Sequence, residues 1–236
     1  MNLTSVLDCL FPAGHSVLEH DGRLAGSGST NKATVAVLGT TNAASISHKI
    51  ALGLADSILQ IIETQPHQAI VFLVDTQGQA LARSEELLCL NGSLAHLAGC
   101  VNLARRLGHP TVSIVTGEAV SGGFLSFGLM ADRVYALSSA QLRVMDLKAM
   151  ARITKLPYEA LVQLAKDRPV FAPGAENYER MGAVEALWSK PNSALLDTAL
   201  DELKHCGTAS DLRMTAGLQR GGRALAHTIA SAVLAE

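Results

Sequence analysis

The residues of this chain best placed to do chemistry contribute main chain rather than reactive side chains. They lie in Thr111-Val-Ser-Ile-Val-Thr-Gly-Glu-Ala-Val-Ser-Gly-Gly-Phe124. A β-branched run (Thr111, Val112, Ile114, Val115, Thr116) reads as a buried strand that Gly117 is predicted to break. Ser121, Gly122 and Gly123 then open an apolar helical stretch to about Met130. Glycine lets the backbone approach a ligand with no side chain between them. The first turn of a helix carries N–H groups without intrahelical partners, and these suit an oxygen that is negative or becoming negative. A second bend, Asp75-Thr-Gln-Gly-Gln79, follows a neighbouring predicted strand. Each bend can aim an N–H at one point beyond the strand ends, where ligands of parallel sheets bind. The expected donors are near Gly78 or Gln79 and near Gly123 or Phe124. One preorganised donor of this kind is worth roughly 3–4 kcal/mol in a rate. Glycines that only permit tight strand-to-helix packing satisfy the same spacing.

The elements that must position these bends follow from periodicity. Thr34-Val-Ala-Val-Leu38 is a predicted strand closed by Gly39, and Ala69-Ile-Val-Phe-Leu-Val74 is a continuous apolar run typical of a strand buried on both faces. Ile46, Ile50, Leu54, Ile58, Ile61 and Ile62 recur at helical spacing over 45–63, ending before Pro66. A long helix is predicted over 85–107, with Leu87, Leu88, Leu94, Leu97, Val101, Ala104 and Leu107 inward, Gly108 as its stop and Pro110 just beyond. Strands are expected at 133–136 and 140–144. Asp21-Gly22 reads as a hairpin turn between strands at 17–19 and 23–25, and 26–30 as a loop. The β-α-β-α-β alternation implies right-handed crossovers in a mostly parallel α/β sheet with flanking helices. From about 146 the chain turns mainly helical, with helices expected at 158–165, 177–181, 194–205 and 211–234. In the last, Leu212, Leu218, Leu225, Ile229 and Val233 are placed inward, and Arg220-Gly-Gly-Arg223 weakens the middle. With no repeat or low-complexity linker, residues 1–236 read as a single domain.

Composition narrows the function class. Of 236 residues, 48% are apolar and only 4% aromatic, which favours close helix-on-sheet packing. A net charge of −2 with dispersed Lys and Arg gives no electrostatic case for nucleic acid or an anionic membrane. Asp, Arg, Lys or Gly interrupts each apolar run, so no membrane span is expected, nor a signal peptide. Cys9, Cys89, Cys100 and Cys206 are widely spaced, as for reduced and mostly buried thiols of a cytoplasmic protein. No His/Cys/Asp/Glu set has metal-ligand spacing.

The paired bends also resemble a known family. Asp75-Thr76-Gln77-Gly78 after one strand, Gly117 to Gly123 after the next, Ala131-Asp132-Arg133-Val134, and Glu179-Arg-Met-Gly-Ala-Val184 are similar to the crotonase-like carboxyltransferase group. That group comprises the carboxyltransferase subunits of acyl-CoA carboxylases and the related malonate decarboxylase subunits. The match covers roughly residues 30–190. Chain length and the 139–145 block (Ser-Ala-Gln-Leu-Arg-Val-Met) resemble most the gamma-subunit family of biotin-independent malonate decarboxylase.

The resemblance implies a crotonase/ClpP-like carboxyltransferase fold. It implies a decarboxylase subunit acting only with a beta subunit, beside an alpha subunit and an acyl carrier protein. The substrate is malonyl on the carrier's phosphoribosyl-dephospho-CoA arm, and no covalently bound cofactor is expected on this chain. Loss of CO2 leaves an enolate, so oxyanion stabilisation and a dry pocket suffice. Gly78, Gln79, Ser121, Gly122, Gly123 and Phe124 would supply that site.

Side chains around the bends carry weaker expectations. Glu118 is placed as a proton relay or as a group orienting an amide, against plain exposure to solvent. Arg83 is placed on a carboxylate or phosphate, against a salt bridge with Glu86. Lys49 is placed on a cofactor phosphate, against a solvated helix face. Lys148, Arg152 and Lys155 form a basic cluster suited to an acidic carrier or partner. Ala119-Val-Ser121-Gly-Gly123 is one residue from a nucleophile elbow, but the stretch where a Clp-type peptidase carries Met-x-His is Arg143-Val-Met-Asp-Leu147, without histidine. Four further readings stand beside the decarboxylase: a subunit of a biotin-dependent carboxylase or decarboxylase, a non-catalytic half-site, a serine hydrolase using Ser121, and a hydratase or isomerase using Glu118.

Overall fold

The apolar runs assemble one parallel core, and both bends leave the same side of it. The computed structural model describes residues 2–167, 172–205, 211, 213–222 and 224–235. Among these the main sheet has the order β1-β2-β3-β5-β7-β8-β10, with β9 added beside β7. β1 (His15–His20), β2 (Arg23–Ser29) and β3 (Thr34–Thr40) pair antiparallel. β3, β5 (Ile70–Thr76), β7 (Thr111–Val120), β8 (Arg133–Leu137) and β10 (Ala186–Trp188) run parallel. A separate parallel pair joins β4 (Ser45–Ile46) to β6 (Gly78–Gln79). Ile70, Val71, Phe72, Leu73 and Val74 are all buried, as a strand covered on both faces requires.

Helices complete the frame. α1 (Leu3–Leu10) is capped by the Asn2 side chain, which accepts from the Ser5 amide at 2.8 Å. This helix was not anticipated, and it buries Val6, Leu7 and Leu10. α2 (His48–Thr64) starts from the Ser47 cap and buries Ile50, Leu54, Ile58 and Ile61, so the predicted helix loses its first turn to β4. The predicted 85–107 helix is two: α3 (Arg83–Leu87) and α4 (Leu90–Arg106), broken at Cys89 with φ 57°. Leu87 and Leu88, placed inward by the periodicity, are 73% and 58% exposed, and Leu107 is likewise exposed. α5 (Ser121–Ser126) follows β7, and α6 (Leu147–Thr154), α7 (Tyr158–Asp167), α8 (Ala175–Arg180) and α9 (Ser193–His205) follow β9 (Gln141–Arg143). α6 and β10 are further elements the periodicity did not reveal.

Other expectations are corrected by packing. Residues 26–29 belong to β2 rather than a loop, with Gly28 lying under the Phe11 ring. The predicted 211–234 helix divides into α10 (Arg213–Gln219) and α11 (Ala224–Leu234) around Gly221 and Gly222. Leu225, Ile229 and Val233 of α11 are exposed rather than inward, and Leu212 lies outside the described residues. Of the cysteines, Cys100 is buried while Cys9 and Cys89 are exposed; Cys206 lies outside the described residues. The thiols are therefore not mostly buried. Burial pushes the Cys100 thiol up.

One buried network fixes the start of β7. Asp132 Oδ2 accepts from the Thr111 amide at 2.9 Å and the Thr111 hydroxyl at 2.7 Å, while Arg105 Nε donates to Oδ1 at 2.6 Å. The Ala-Asp-x-Val segment thus anchors α4, β7 and β8 together.

Candidate active site

β7 does not stop at Gly117. It continues to Val120, with two extra residues on β7 between the Val74–Val115 and Thr76–Ala119 pairings. The bulge is held by a side chain: Asp75 Oδ1 accepts from the Glu118 amide at 2.9 Å. Gly117 is required here because a Cβ would collide with the Asp75 carboxylate. The Asp75 amide donates to Thr40 Oγ1 at 3.3 Å.

Thr76 shapes the first bend. Its hydroxyl donates to the Ala44 carbonyl at 2.6 Å and accepts from the Gly78 amide at 3.1 Å. The Gly78 N–H is therefore used inside the bend. The Ala80 amide donates to the Ile46 carbonyl at 2.9 Å, toward β4. Alternation along β6 then turns the Gln79 N–H to the opposite edge, where α5 packs. Of the two donors proposed for this bend, Gln79 is the one the geometry leaves available.

The two bends meet. A Cβ on Gly123 would stand 2.7 Å from the Gly78 carbonyl carbon and 2.9 Å from both Gly78 Cα and Ile46 Cγ1. A Cβ on Gly78, at φ +102°, would stand 3.1 Å from the Val120 carbonyl oxygen and 3.5 Å from Ser121 Cβ. Only bare backbone fits at this junction. Ser121 enters α5 at φ +49°, a left-handed turn that a side chain adopts at a cost of order 1–3 kcal/mol. That sharp elbow presents the first-turn amides of α5 beside β6. Phe124 is buried in the core behind them. The Gln79 side chain lies over Gly122, its Oε1 3.3 Å from the position of a Cβ there. That oxygen is buried with no hydrogen-bond partner, a state that costs roughly 1–3 kcal/mol.

The remaining candidate side chains are disposed differently. Glu118 is ion-paired rather than free in solvent: Arg143 Nη1 stands 2.5 Å from its Oε2, off the line of a hydrogen bond. Lys49 is exposed and pairs with Asp21 at 2.6 Å, so it faces the β1–β2 hairpin. Arg83 is exposed on α3 and makes no ion pair among the described residues, so the alternative pairing with Glu86 is not formed. Lys148, Arg152 and Lys155 are exposed on α6 and at its end. No histidine hydrogen-bonds Ser121 among the described residues. None of the described residues forms a group of three His, Cys, Asp or Glu fit for a metal, and none of their helices is long and apolar enough to cross a membrane.

Behind α5 lies a cavity of about 680 Å³, lined by Leu125, Leu129, Arg143, Met145, Tyr178 and Met214 among others. Burial pushes the Tyr178 hydroxyl up to about 12, so it stays protonated there. Sequence reading found neither this cavity nor the roles of Asp75, Arg143 and the Gln79 side chain. Asp75 was visible in its motif, but Arg143 reaches Glu118 only through the β7–β9 pairing.

Residues 41–236 match the family model for the malonate decarboxylase gamma subunit. The chain belongs to this family. The gamma-subunit match takes in both bends, β7, α5 and all that follows. The malonyl-S-ACP:biotin-protein carboxyltransferase of Malonomonas rubra is 38% identical over 166 residues, 65% of this chain. The chain spans 57% of that relative's length. Among solved structures, a chain of a Pseudomonas malonate decarboxylase hetero-tetramer in complex with coenzyme A superposes with TM-score 0.77 and 22% identity, covering 96% of this chain and 94% of that one. A transcarboxylase 12S chain with methylmalonyl-coenzyme A and methylmalonic acid bound gives TM-score 0.71 and 15% identity, over 85% and 41% of the two chains. The fold is accordingly the crotonase-like carboxyltransferase fold that the motifs implied.

Proposed function

We propose that this chain, as a single domain, is the gamma half of a malonate decarboxylase. Paired with a beta subunit, beside an alpha subunit, it converts malonyl on an acyl carrier protein to acetyl and CO2. The observation that carries this reading is the junction where Gly78 and Gly123 pack backbone to backbone, in a chain of the gamma-subunit family. The substrate is the carrier's phosphoribosyl-dephospho-CoA arm bearing malonyl. Exposed thiols at Cys9 and Cys89 suit a reducing compartment, the cytoplasm.

In this reading the Gln79 and α5 amides are preset dipoles. They face the carboxylate and the CO2 it becomes, while the partner holds the thioester oxygen. The bond between the carboxylate carbon and the α-carbon breaks, its electron pair enters the enolate, and a proton then reaches the α-carbon. Fixed dipoles hold the carboxylate in the orientation from which it leaves. Asp75 and Thr76 hold the bends in place and exchange no proton. A biotin-dependent carboxyltransferase is the second reading, favoured by the activity of the Malonomonas relative.

Reconstitution separates these from a passive half-site. The isolated chain is expected to leave malonyl-coenzyme A intact, and CO2 release is expected on adding the beta subunit and carrier. Turnover by the isolated chain would contradict the shared site. Turnover that appears only with a biotinyl protein would move the assignment to the second reading.

A further inference from the structure

We infer that the Gln79 carboxamide recognises the free carboxylate of a malonyl-type thioester and so selects which acyl group the site accepts. This rests on the decarboxylase reading above and adds a side chain to a site so far made of main chain.

One end of the carboxamide is buried and the other is not. Its Oε1 is buried over Gly122 without a partner, while Nε2 is not among the buried unpartnered atoms and makes no hydrogen bond among the described residues. Gln79 as a whole is half-buried. With the oxygen turned into α5, the planar group turns its two N–H donors toward the open side of the junction. Leucine or methionine would fill the same space without stranding an acceptor, so packing does not call for glutamine.

The local cations are otherwise engaged or set apart. Arg143 pairs with Glu118, Lys49 pairs with Asp21, and Arg83 stands on exposed α3. A neutral donor also suits the chemistry. The carboxylate departs as neutral CO2, so any group that favours the carboxylate over the transition state slows the step. One amide donor selects the anion without the hold of a guanidinium. Gln79 exchanges no proton in this scheme.

The test measures binding of malonyl-coenzyme A and acetyl-coenzyme A to the complex with the beta subunit, together with KM and kcat. Gln79→Leu is expected to weaken malonyl-coenzyme A about tenfold, the size of one hydrogen bond to a charged group, and to leave acetyl-coenzyme A unchanged. KM should rise while kcat stays level or increases, because the lost contact favoured the departing carboxylate. Gln79→Arg should tighten malonyl-coenzyme A and lower kcat. Equal weakening of both ligands, or an unaltered malonyl preference, overturns the proposal. Gln79→Met carries the same expectations should the leucine variant fold poorly. A wild-type complex that turns over no malonyl thioester overturns the underlying reading instead, and shows it before any variant is made.

Discussion

Gly123→Ala is expected to lower kcat of the assembled enzyme by about 10²-fold, the loss that follows a misplacement of about 1 Å in the reacting geometry. The new methyl group would meet the Gly78 carbonyl carbon at 2.7 Å and Gly78 Cα at 2.9 Å. Backbone cannot swing aside as a side-chain end can, so the two bends must part and their amides lose a common target. Gly122→Ala is the matched comparison. Its methyl group would meet the Gln79 side-chain oxygen at 3.3 Å, a flexible end that can move. It should therefore keep kcat within about tenfold of wild type, since no backbone donor is displaced. Steady-state kinetics with thermal melts of both variants make the comparison. A Gly123→Ala enzyme that melts lower yet turns over normally would remove the junction from the mechanism.

Gly117→Ala is expected to cost about 3 kcal/mol of folding stability, combining overpacking with a lost hydrogen bond to a charged acceptor. The methyl group would occupy the place of the Asp75 carboxylate, which holds the Glu118 amide at 2.9 Å. Removing the obstacle should recover part of the loss. In Asp75→Ala/Gly117→Ala, urea unfolding should show a total cost below the sum of the single variants by about 1 kcal/mol or more. Strict additivity would mean that the carboxylate and the glycine do not act through each other. Because the bulge aims β7 into α5, both single variants should also lose turnover, and the double variant should not regain it.

The bends were legible in the sequence because each signal is local. Continuous apolar runs mark β5 and β7, and glycines at fixed offsets mark the turns that follow. Other features leave weaker traces. The break between α3 and α4 falls at Cys89 in a left-handed conformation, with neither Gly nor Pro to announce it. Gly117 looked like a strand end because a bulge and a stop share the same residue. The C-terminal helices read as one because hydrophobic spacing persisted across Gly221 and Gly222, although Leu225, Ile229 and Val233 are exposed.

Site side chains were legible only as far as their partners were near in sequence. Arg143 meets Glu118 because β9 lies beside the end of β7, a pairing that periodicity does not encode. For Lys49 the helix start leaves a phosphate contact and a solvated face both open; the side chain is solvated and pairs with Asp21 on the hairpin. The Gly78 amide reads as a candidate donor in the sequence, but the Thr76 hydroxyl accepts from it. What spacing does predict well here is backbone shape, because glycine is chosen by sterics that act over one or two residues.

The proposed site places negative charge on the amides of two converging bends at a subunit junction. The most direct measurement is a crystal structure of the gamma–beta complex with a malonyl thioester analogue that cannot lose CO2. The account predicts an analogue oxygen about 2.7–3.1 Å from the Gln79 and Gly123 amide nitrogens, with the partner chain closing the other side. An analogue seated in the cavity behind α5, with its oxygens distant from both bends, would contradict it.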